Sequence, residues 1–381
     1  MTARVLIIAG SDSGGGAGIQ ADIKTVSLLG AHAMTAVTAL TAQNTLGVQG
    51  VHPVPTDFVI AQIDSVVADI GVDAVKIGMI GSAETSAAVA ERLCRDDLRA
   101  VPVVFDPVMV ATSGSVLADE ATIAAFGALM NRATITTPNR AELAALGGVA
   151  AVLAHGCALI EKGGHDDGEL LTDTLYLGGV DAPEPLVWEA PRIDTRHTHG
   201  TGCTLASAIA TGLAQGMALV PAVARARDVV RLALHAAPGL GQGAGPMGHA
   251  DLRADGIFTG PALNQVTLPA RDVQASVAFY RKLGLKQIVA AEHYARFEAA
   301  NGATLSVEHS DAAPGGAVNY LESGALDAWV AYLSRKGVAF DQQPRDEDWG
   351  WREARLTDPA GNALCLYQAG EYRRFPPWRV E

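Results

Sequence analysis

The chain opens on Val5–Ala9, an apolar run with the length of a buried strand, and turns at once into the glycine-rich stretch Gly10–Gly18. Apolar Ile19, Ile23, Val26 and Leu29 then recur at helical spacing, so strand, loop and helix come in the order that begins an α/β fold. The alternation persists. Residues 33–40, 74–77, 101–105 and 135–136 read as strands, and 57–70, 83–93, 120–130 and 141–146 as helices. Continuous apolar strands between helices imply a parallel sheet covered on both faces, with ligands expected at the carboxyl ends of the strands.

From about residue 260 the pattern changes. Strands are expected at 263–268, 295–299 and 304–308 with a helix at 273–283, then strands at 317–321, 352–356 and 363–367 with a helix at 326–336 and a turn at Asp358–Asn362. This is an internal βαβββ repeat. Between the two textures, Pro238–Pro246 reads as loop or linker. Gly243 to Gly248 matches G-x-G-x-x-G, but no strand precedes it, so it is read as a chance match to the dinucleotide fingerprint. The expected domains are 1–256 and 257–381.

A length of 381 residues suits two domains, and 49% hydrophobic with 18% charged residues describes a globular chain. Residues 1–256 carry 15 Lys+Arg against 26 Asp+Glu, and residues 257–381 carry 13 against 15. A polyanion needs a basic surface, so nucleic acid is not expected as a partner of the first domain. No apolar run has the length of a membrane span and no signal-peptide pattern is seen at Met1; with Cys94, Cys157, Cys203 and Cys365 far apart, a reducing cytoplasm is expected.

The chemistry concentrates at Thr198–Leu213, where Gly200 and Gly202 lead into helical spacing at Leu205, Ala206, Ile209, Ala210 and Leu213. Unpaired amides and the helix dipole make such a turn an anion site, and Cys203 within it is expected to ionise more readily than a free thiol and to act as base or nucleophile. Asp106 ends one strand, and Lys162 follows another. Asn139 and Glu142, three apart at a helix start, suit either a hydrated Mg²⁺ or a capping box. There is no G-x-x-x-x-G-K-[ST] P-loop.

G-S-D-S-G-G-G-A-G-I-Q-A-D-I-K (10–24), T-A-Q-N-T (41–45), K-I-G-M (76–79), D-P-V-M (106–109), T-P-N-R-A-E (137–142), E-K-G-G-H (161–165) and H-G-T-G-C-T-L (199–205) together resemble the hydroxymethylpyrimidine/phosphomethylpyrimidine kinases of thiamine biosynthesis. These are ribokinase-like enzymes. The resemblance spans about residues 4–250 and implies phosphorylation by MgATP of 4-amino-5-hydroxymethyl-2-methylpyrimidine, then of its monophosphate. It places Asp22, Gln43, Met79 and Val108 at the pyrimidine and Gly200, Thr201, Gly202 and Cys203 in the anion hole. It puts Lys162, Asn139, Glu142 and Asp106 on the nucleotide side, Asn139 and Glu142 serving Mg²⁺ indirectly. Thr112 stands where the family usually has lysine, which puts the second phosphorylation in doubt. A pyridoxal or pyridoxine kinase is the alternative, and a non-catalytic thiamine-precursor sensor is a rival of another class.

L-P-A-R-D-V-Q-A-S-V-A-F-Y-R-K-L-G-L (268–285) and L-T-D-P-A-G-N-A-L-C-L-Y (356–367) resemble the glyoxalase/bleomycin-resistance/dioxygenase group, the vicinal-oxygen-chelate fold. Its four metal positions fall near Gln265, Ser306, Ala317 and Cys365, too few good ligands for a catalytic metal, which implies a metal-free binding or stabilising module rather than a metal-dependent lyase or dioxygenase. Trp349 and Trp351 are candidates for an apolar groove or for a dimer contact, and the resemblance makes a homodimer the expected assembly.

Overall fold

A computed structural model describes residues 2–110, 114, 117–163, 168–178, 184–249, 265–299, 303–311, 318–323 and 326–368. The chain divides into two compact units, Met1–Ile257 and Phe258–Glu381. Thr112, Ala317 and the expected boundary at 256/257 lie outside the described residues.

In the first unit the chain runs β1 (Arg4–Ala9), α1 (Gly18–Leu28), β2 (His32–Val37), β3 (Ala39–Asn44), β4 (Gly47–Pro53), α2 (Thr56–Asp69), β5 (Ala74–Ile77), α3 (Ala83–Leu93) and β6 (Val103–Phe105). It continues through α4 (Glu120–Met130), β7 (Ile135–Thr136), α5 (Arg140–Ala145), α6 (Val149–Leu153), β8 (Ala158–Glu161), β9 (Leu170–Tyr176), β10 (Leu186–Pro191), α7 (Thr201–Ala214) and α8 (Leu219–His235). Eight strands form one sheet in the order β10-β9-β8-β7-β6-β5-β1-β2. The six strands β8-β7-β6-β5-β1-β2 run parallel within it, as expected, whereas β9 and β10 pair antiparallel at one edge.

The apolar strand β1 is buried on both faces. Val5, Ile7 and Ala9 join the layer of α1, α7 and α8, while Leu6 and Ile8 join the layer built by α2 to α6. Alternation of side chains across the strand sends them to opposite layers. The stretch expected as one strand at 33–40 is two. Thr38 donates its amide to Ala9 and its hydroxyl to the Met79 carbonyl, and beyond it the chain leaves the sheet as the hairpin β3–β4.

Pro238–Pro246 is a loop, but it does not hang free. Gly243 donates its amide to Thr45 Oγ1 at 3.3 Å, and a Cβ there would lie 2.0 Å from the Thr45 carbonyl oxygen. His199 N bonds the Gly245 carbonyl. The glycines thus serve close approach to the hairpin and to the strand-like segment before α7, rather than linker flexibility.

The second unit contains β11 (Gln265–Ala270), α9 (Val273–Lys282), β12 (Lys286–Ala290), β13 (Tyr294–Glu298) and β14 (Thr304–His309), then β15 (Val318–Glu322), α10 (Leu326–Arg335), β16 (Gln342–Asp346), β17 (Arg352–Thr357) and β18 (Ala363–Gln368). The two sheets have the same order, β11-β14-β13-β12 and β15-β18-β17-β16, with the outer pair parallel in each. The βαβββ repeat is therefore real, though the weakly patterned β12 and β16 are not legible in the sequence. Tyr280 donates to Asp358 at 2.9 Å and Asn362 to the Pro269 carbonyl at 3.0 Å, so the Asp358–Asn362 turn ties one repeat to the other.

Candidate active site

A cavity of about 940 Å³ opens at the carboxyl ends of the parallel strands. Its first wall is the loop after β1. Asp12, almost fully buried, accepts from the amides of Gly14, Gly16 and Ala17 at 2.8 to 3.0 Å and lies 2.9 Å from His199 Nε2. Burial pushes its carboxyl up, but the His199 ring and those amides outweigh it and hold Asp12 below the usual range. His199 Nε2 also stands 3.2 Å from the Gln43 side-chain amide. Gln43, Met79 and Val108 line this end, where an amide and apolar faces suit a flat heteroaromatic ring.

The anion-binding turn lies at the centre. Gly200 caps α7 with φ +92°, and Thr201, Gly202 and Cys203 form the first turn, whose amides have no partner within the helix. Across from them, Lys162 Nζ stands 3.3 Å from Asp106 Oδ1, which also accepts from Thr137 at 3.0 Å. A Cβ at Gly202 would lie 3.3 Å from both Lys162 Nζ and Asp106 Oδ2, so the carboxylate and ammonium flank the turn. Burial lowers the affinity of Lys162 for its proton, but Asp106 and Glu142 overcome this and hold it above the ordinary value.

Asn139 and Glu142 form a complete capping box on α5: Glu142 N donates to Asn139 Oδ1 at 2.9 Å and Asn139 N to Glu142 Oε2 at 2.8 Å. Both line the cavity nonetheless. Burial pushes the Glu142 carboxyl up, with Lys162 opposing it. Among the described residues no group of three His, Cys, Asp or Glu converges as a metal-binding set. The two carboxylates facing Lys162 suit an ion such as Mg²⁺ only in its usual manner, retaining water and leaning on substrate phosphates.

Two expectations change. Asp22 does not line the cavity: it is fully enclosed between α1 and α7, accepting from Lys76 Nζ at 2.8 Å and from Ser207 at 2.7 Å. Its short side chain points into the layer, so it meets Lys76 rather than a ligand. Cys203 does line the cavity, but its thiol is not the readily ionised group expected from the helix start. Burial pushes it up to about 12, with Asp22 and Asp106 adding to the rise and Lys76 and the Gly18 amide opposing it. Removing a thiolate from water outweighs the favourable turn.

Sequence reasoning missed several groups. Lys76 is a charge in the otherwise apolar strand Ala-Val-Lys-Ile, and that oddity was a usable signal. His199 and Asp12 stand within the family-like motifs, but the resemblance assigns them no role. The far end of the cavity is lined by Leu171, Ile193, Val230 and Leu234, with Arg227 and Arg231 one helical turn apart on α8. Arg227 is held by Asp173 at 2.6 Å and lies over the Trp188 ring. No single motif covers these residues.

His249 packs against the first turn of α7, its Nε2 2.9 Å from Thr204 Oγ1. Burial, with Lys24 assisting, lowers it to about 4. The folded form thus holds the neutral ring. Its contribution is complete above the unfolded value of 6.5 and is lost as pH falls towards 4, about 2–3 kcal/mol over that window. Urea unfolding at pH 7.5 and 4.5 should show the wild type losing that much more stability than His249→Gln; parallel losses would exclude the buried neutral histidine.

In the second unit, Ser306 Oγ pairs with Thr267 Oγ1 at 2.7 Å, and Tyr320 stands opposite Cys365 in the register of β15 and β18. Gln265 lies in β11. Burial and the neighbouring Glu353 push the Cys365 thiol up to about 12. Trp351 stacks on Tyr367 with centroids 4.8 Å apart, and Trp349 Nε1 donates to the buried Glu353 at 2.9 Å. Trp351 is thus packed on its own sheet, whereas Trp349 is hydrogen-bonded to it but exposed.

Residues 12–248 match the family described as Phosphomethylpyrimidine kinase, and residues 262–366 match the Glyoxalase/Bleomycin resistance protein/Dioxygenase superfamily. A hydroxymethylpyrimidine/phosphomethylpyrimidine kinase of Rhizobium meliloti is 47% identical over 266 residues, covering 65% of this chain and 97% of that enzyme. Among solved structures, an ADP complex of Bacillus subtilis pyridoxal kinase superposes with a TM-score of 0.59 at 32% identity, covering 66% of this chain and 98% of that one. A phosphomethylpyrimidine kinase of Clostridium difficile superposes with a TM-score of 0.52 at 35% identity, covering 60% of this chain and 98% of that one.

Proposed function

Because the chain belongs to the phosphomethylpyrimidine kinase family over residues 12–248, we propose that its first domain transfers the γ-phosphoryl group of ATP to hydroxymethylpyrimidine and then to the monophosphate, in thiamine biosynthesis. One observation carries the reading: a single cavity is lined by Gln43, Met79 and Val108, by the helix-start turn Gly200–Cys203, by Lys162 with Asp106, and by apolar Leu171, Ile193, Val230 and Leu234. The far end, with Arg227 and Arg231, suits the nucleotide base and its phosphates.

Phosphoryl transfer runs through a loose transition state, so positioning and charge stabilisation dominate. The Gly200–Cys203 amides and Lys162 face the oxygens on which charge develops, with Lys162 oriented by Asp106. Bound with the nucleotide and held through water near Glu142 and Asn139, Mg²⁺ would neutralise phosphate charge. Cys203 is a neutral thiol in the resting site; as the thiolate, its own proton given up to water, it takes the hydroxyl proton as the new O–P bond forms and the bond to ADP breaks. Cys203→Ala is then expected to lower turnover on hydroxymethylpyrimidine about 100-fold, and turnover on the monophosphate less, because that acceptor already carries charge. Equal turnover of variant and wild type would remove the thiol from the mechanism.

Pyridoxal is the second substrate to test, since the structural likeness to a pyridoxal kinase covers the same domain. Incubation with MgATP and hydroxymethylpyrimidine, its monophosphate or pyridoxal, with mono- and diphosphate products resolved, decides between the readings. No phosphorylated product from any would favour a precursor sensor.

For the second domain the reading is a binding or stabilising module that works without metal, supported by the Ser306–Thr267 pair and by the buried Cys365 at positions where metal-using relatives would need ligands. Stoichiometric Zn²⁺, Ni²⁺ or Fe²⁺ in purified protein would overturn it. A cytoplasmic homodimer is the working assembly, tested by light scattering; among the described residues no helix is long and apolar enough to cross a membrane.

A further inference from the structure

Beneath the anion-binding turn lies a fully buried ion pair that the mechanism above does not use. Lys76 leaves β5 towards the layer of α1 and α7, and neither its side chain nor that of Asp22 is exposed at all. Asp22 spends one oxygen on Lys76 at 2.8 Å and the other on Ser207 at 2.7 Å. Ser207 is four residues after Cys203 on α7, so the two share one face of the helix, with the thiol one turn nearer the cavity. Lys76 and Cys203 both border that cavity. Glycine at 78 makes the room: a Cβ there would lie 2.7 Å from Lys76 Nζ.

Stability does not explain the pair. Two charges taken from water gain back little more than their desolvation cost, and apolar residues of the same volume serve such a layer as well or better. What the pair supplies is a fixed positive charge, and a carboxylate bound to it, both close enough to act on the sulfur one helical turn from Ser207. We infer that Lys76, Asp22 and Ser207 act as one positioning unit that sets the charge at the Cys203 sulfur, Lys76 favouring the thiolate and Asp22 restraining it. The inference rests on reading Cys203 as part of the phosphotransfer site. The other charged groups bearing on the sulfur are Asp106, after β6, and Lys162, after β8. They flank the turn from the cavity side, whereas Lys76 and Asp22 lie in the layer below it. Lys76 is the strongest influence lowering the thiol's proton affinity, and Asp22 the stronger of the two carboxylates raising it.

The two halves of the pair therefore have opposite signs, which a purely structural role does not. The test is the rate of Cys203 alkylation by iodoacetamide between pH 7 and 10.5, read on the Cys203 peptide by mass spectrometry to separate it from the exposed Cys94. It uses the full-length chain without substrate. Lys76→Met is expected to slow alkylation at pH 9 about tenfold or more, and Asp22→Asn to speed it about tenfold, each the effect of roughly one unit in thiol ionisation. Ser207→Ala, which loosens Asp22 only, should move the rate less than Asp22→Asn. Shifts of the same sign in the lysine and aspartate variants, or no shift in either, overturn the inference. Should Lys76→Met not fold, the isosteric Asp22→Asn decides alone: faster alkylation supports the unit, and equal or slower alkylation refutes it. The readout needs no kinase activity, so a failed substrate assignment would leave this result standing and distinguishable.

Discussion

Gly200→Ala is expected to abolish phosphoryl transfer, lowering turnover about 1000-fold or more, and to cost the fold about 2 kcal/mol or more. Gly200 holds φ +92° at the mouth of α7, a conformation that L side chains rarely adopt. A Cβ there would lie 2.0 Å from the Gly16 carbonyl oxygen, a backbone atom that cannot swing aside. The alanine variant must shift either the α7 turn or the loop held by Asp12. Either movement misaims several anion-hole amides at once, and each such donor is typically worth 100- to 1000-fold. Denaturant unfolding and single-turnover transfer measured on the same preparation check both halves. A variant retaining turnover within tenfold would show that the amides of this turn do not hold the transferring group.

Lys162→Met is the second large effect, about 1000-fold or more in turnover with affinity for hydroxymethylpyrimidine nearly unchanged. The ammonium sits between Asp106, at 3.3 Å, and the amides of the Gly200–Cys203 turn, where charge develops as the phosphoryl group moves. Gln43, Met79 and Val108, the groups assigned to the ring, belong to the other end of the cavity. The loss should therefore appear in the chemical step. Methionine keeps much of the stem's packing, so folding should survive, although Asp106 is left with Thr137 as its remaining partner in place of a cation. Calorimetric titration with the pyrimidine, beside rapid-quench measurement of transfer, separates the two. A large loss of pyrimidine affinity with intact transfer would reassign Lys162 to substrate recognition.

Legibility along the chain followed local pattern. The helix Ala83–Leu93 is found where periodicity placed it, capped by Ser82, and Val5–Ala9 is the doubly buried strand its composition implied. The antiparallel edge was not legible, because Leu170–Tyr176 and Leu186–Pro191 mix exposed and half-buried positions and lack the apolar run of a central strand. The hairpin β3–β4 was missed for a related reason. Its boundary at Thr38 is fixed by bonds to Ala9 and Met79, residues far off in sequence, rather than by any turn residue of its own.

By itself the sequence determined what depends on neighbours within a turn or two: the alternation of strands and helices, the repeat in the second unit, and the glycine-to-helix transition before Cys203. Only the tertiary structure decided what those groups face. Lys76, Asp22 and Ser207 lie 54 and 185 residues apart and meet because three elements pack into one layer. The ionisation of Cys203 was likewise beyond the sequence, for a thiol's proton affinity depends on its burial and on the charges around it, here Lys76, Asp22 and Asp106, which only the packing brings to it.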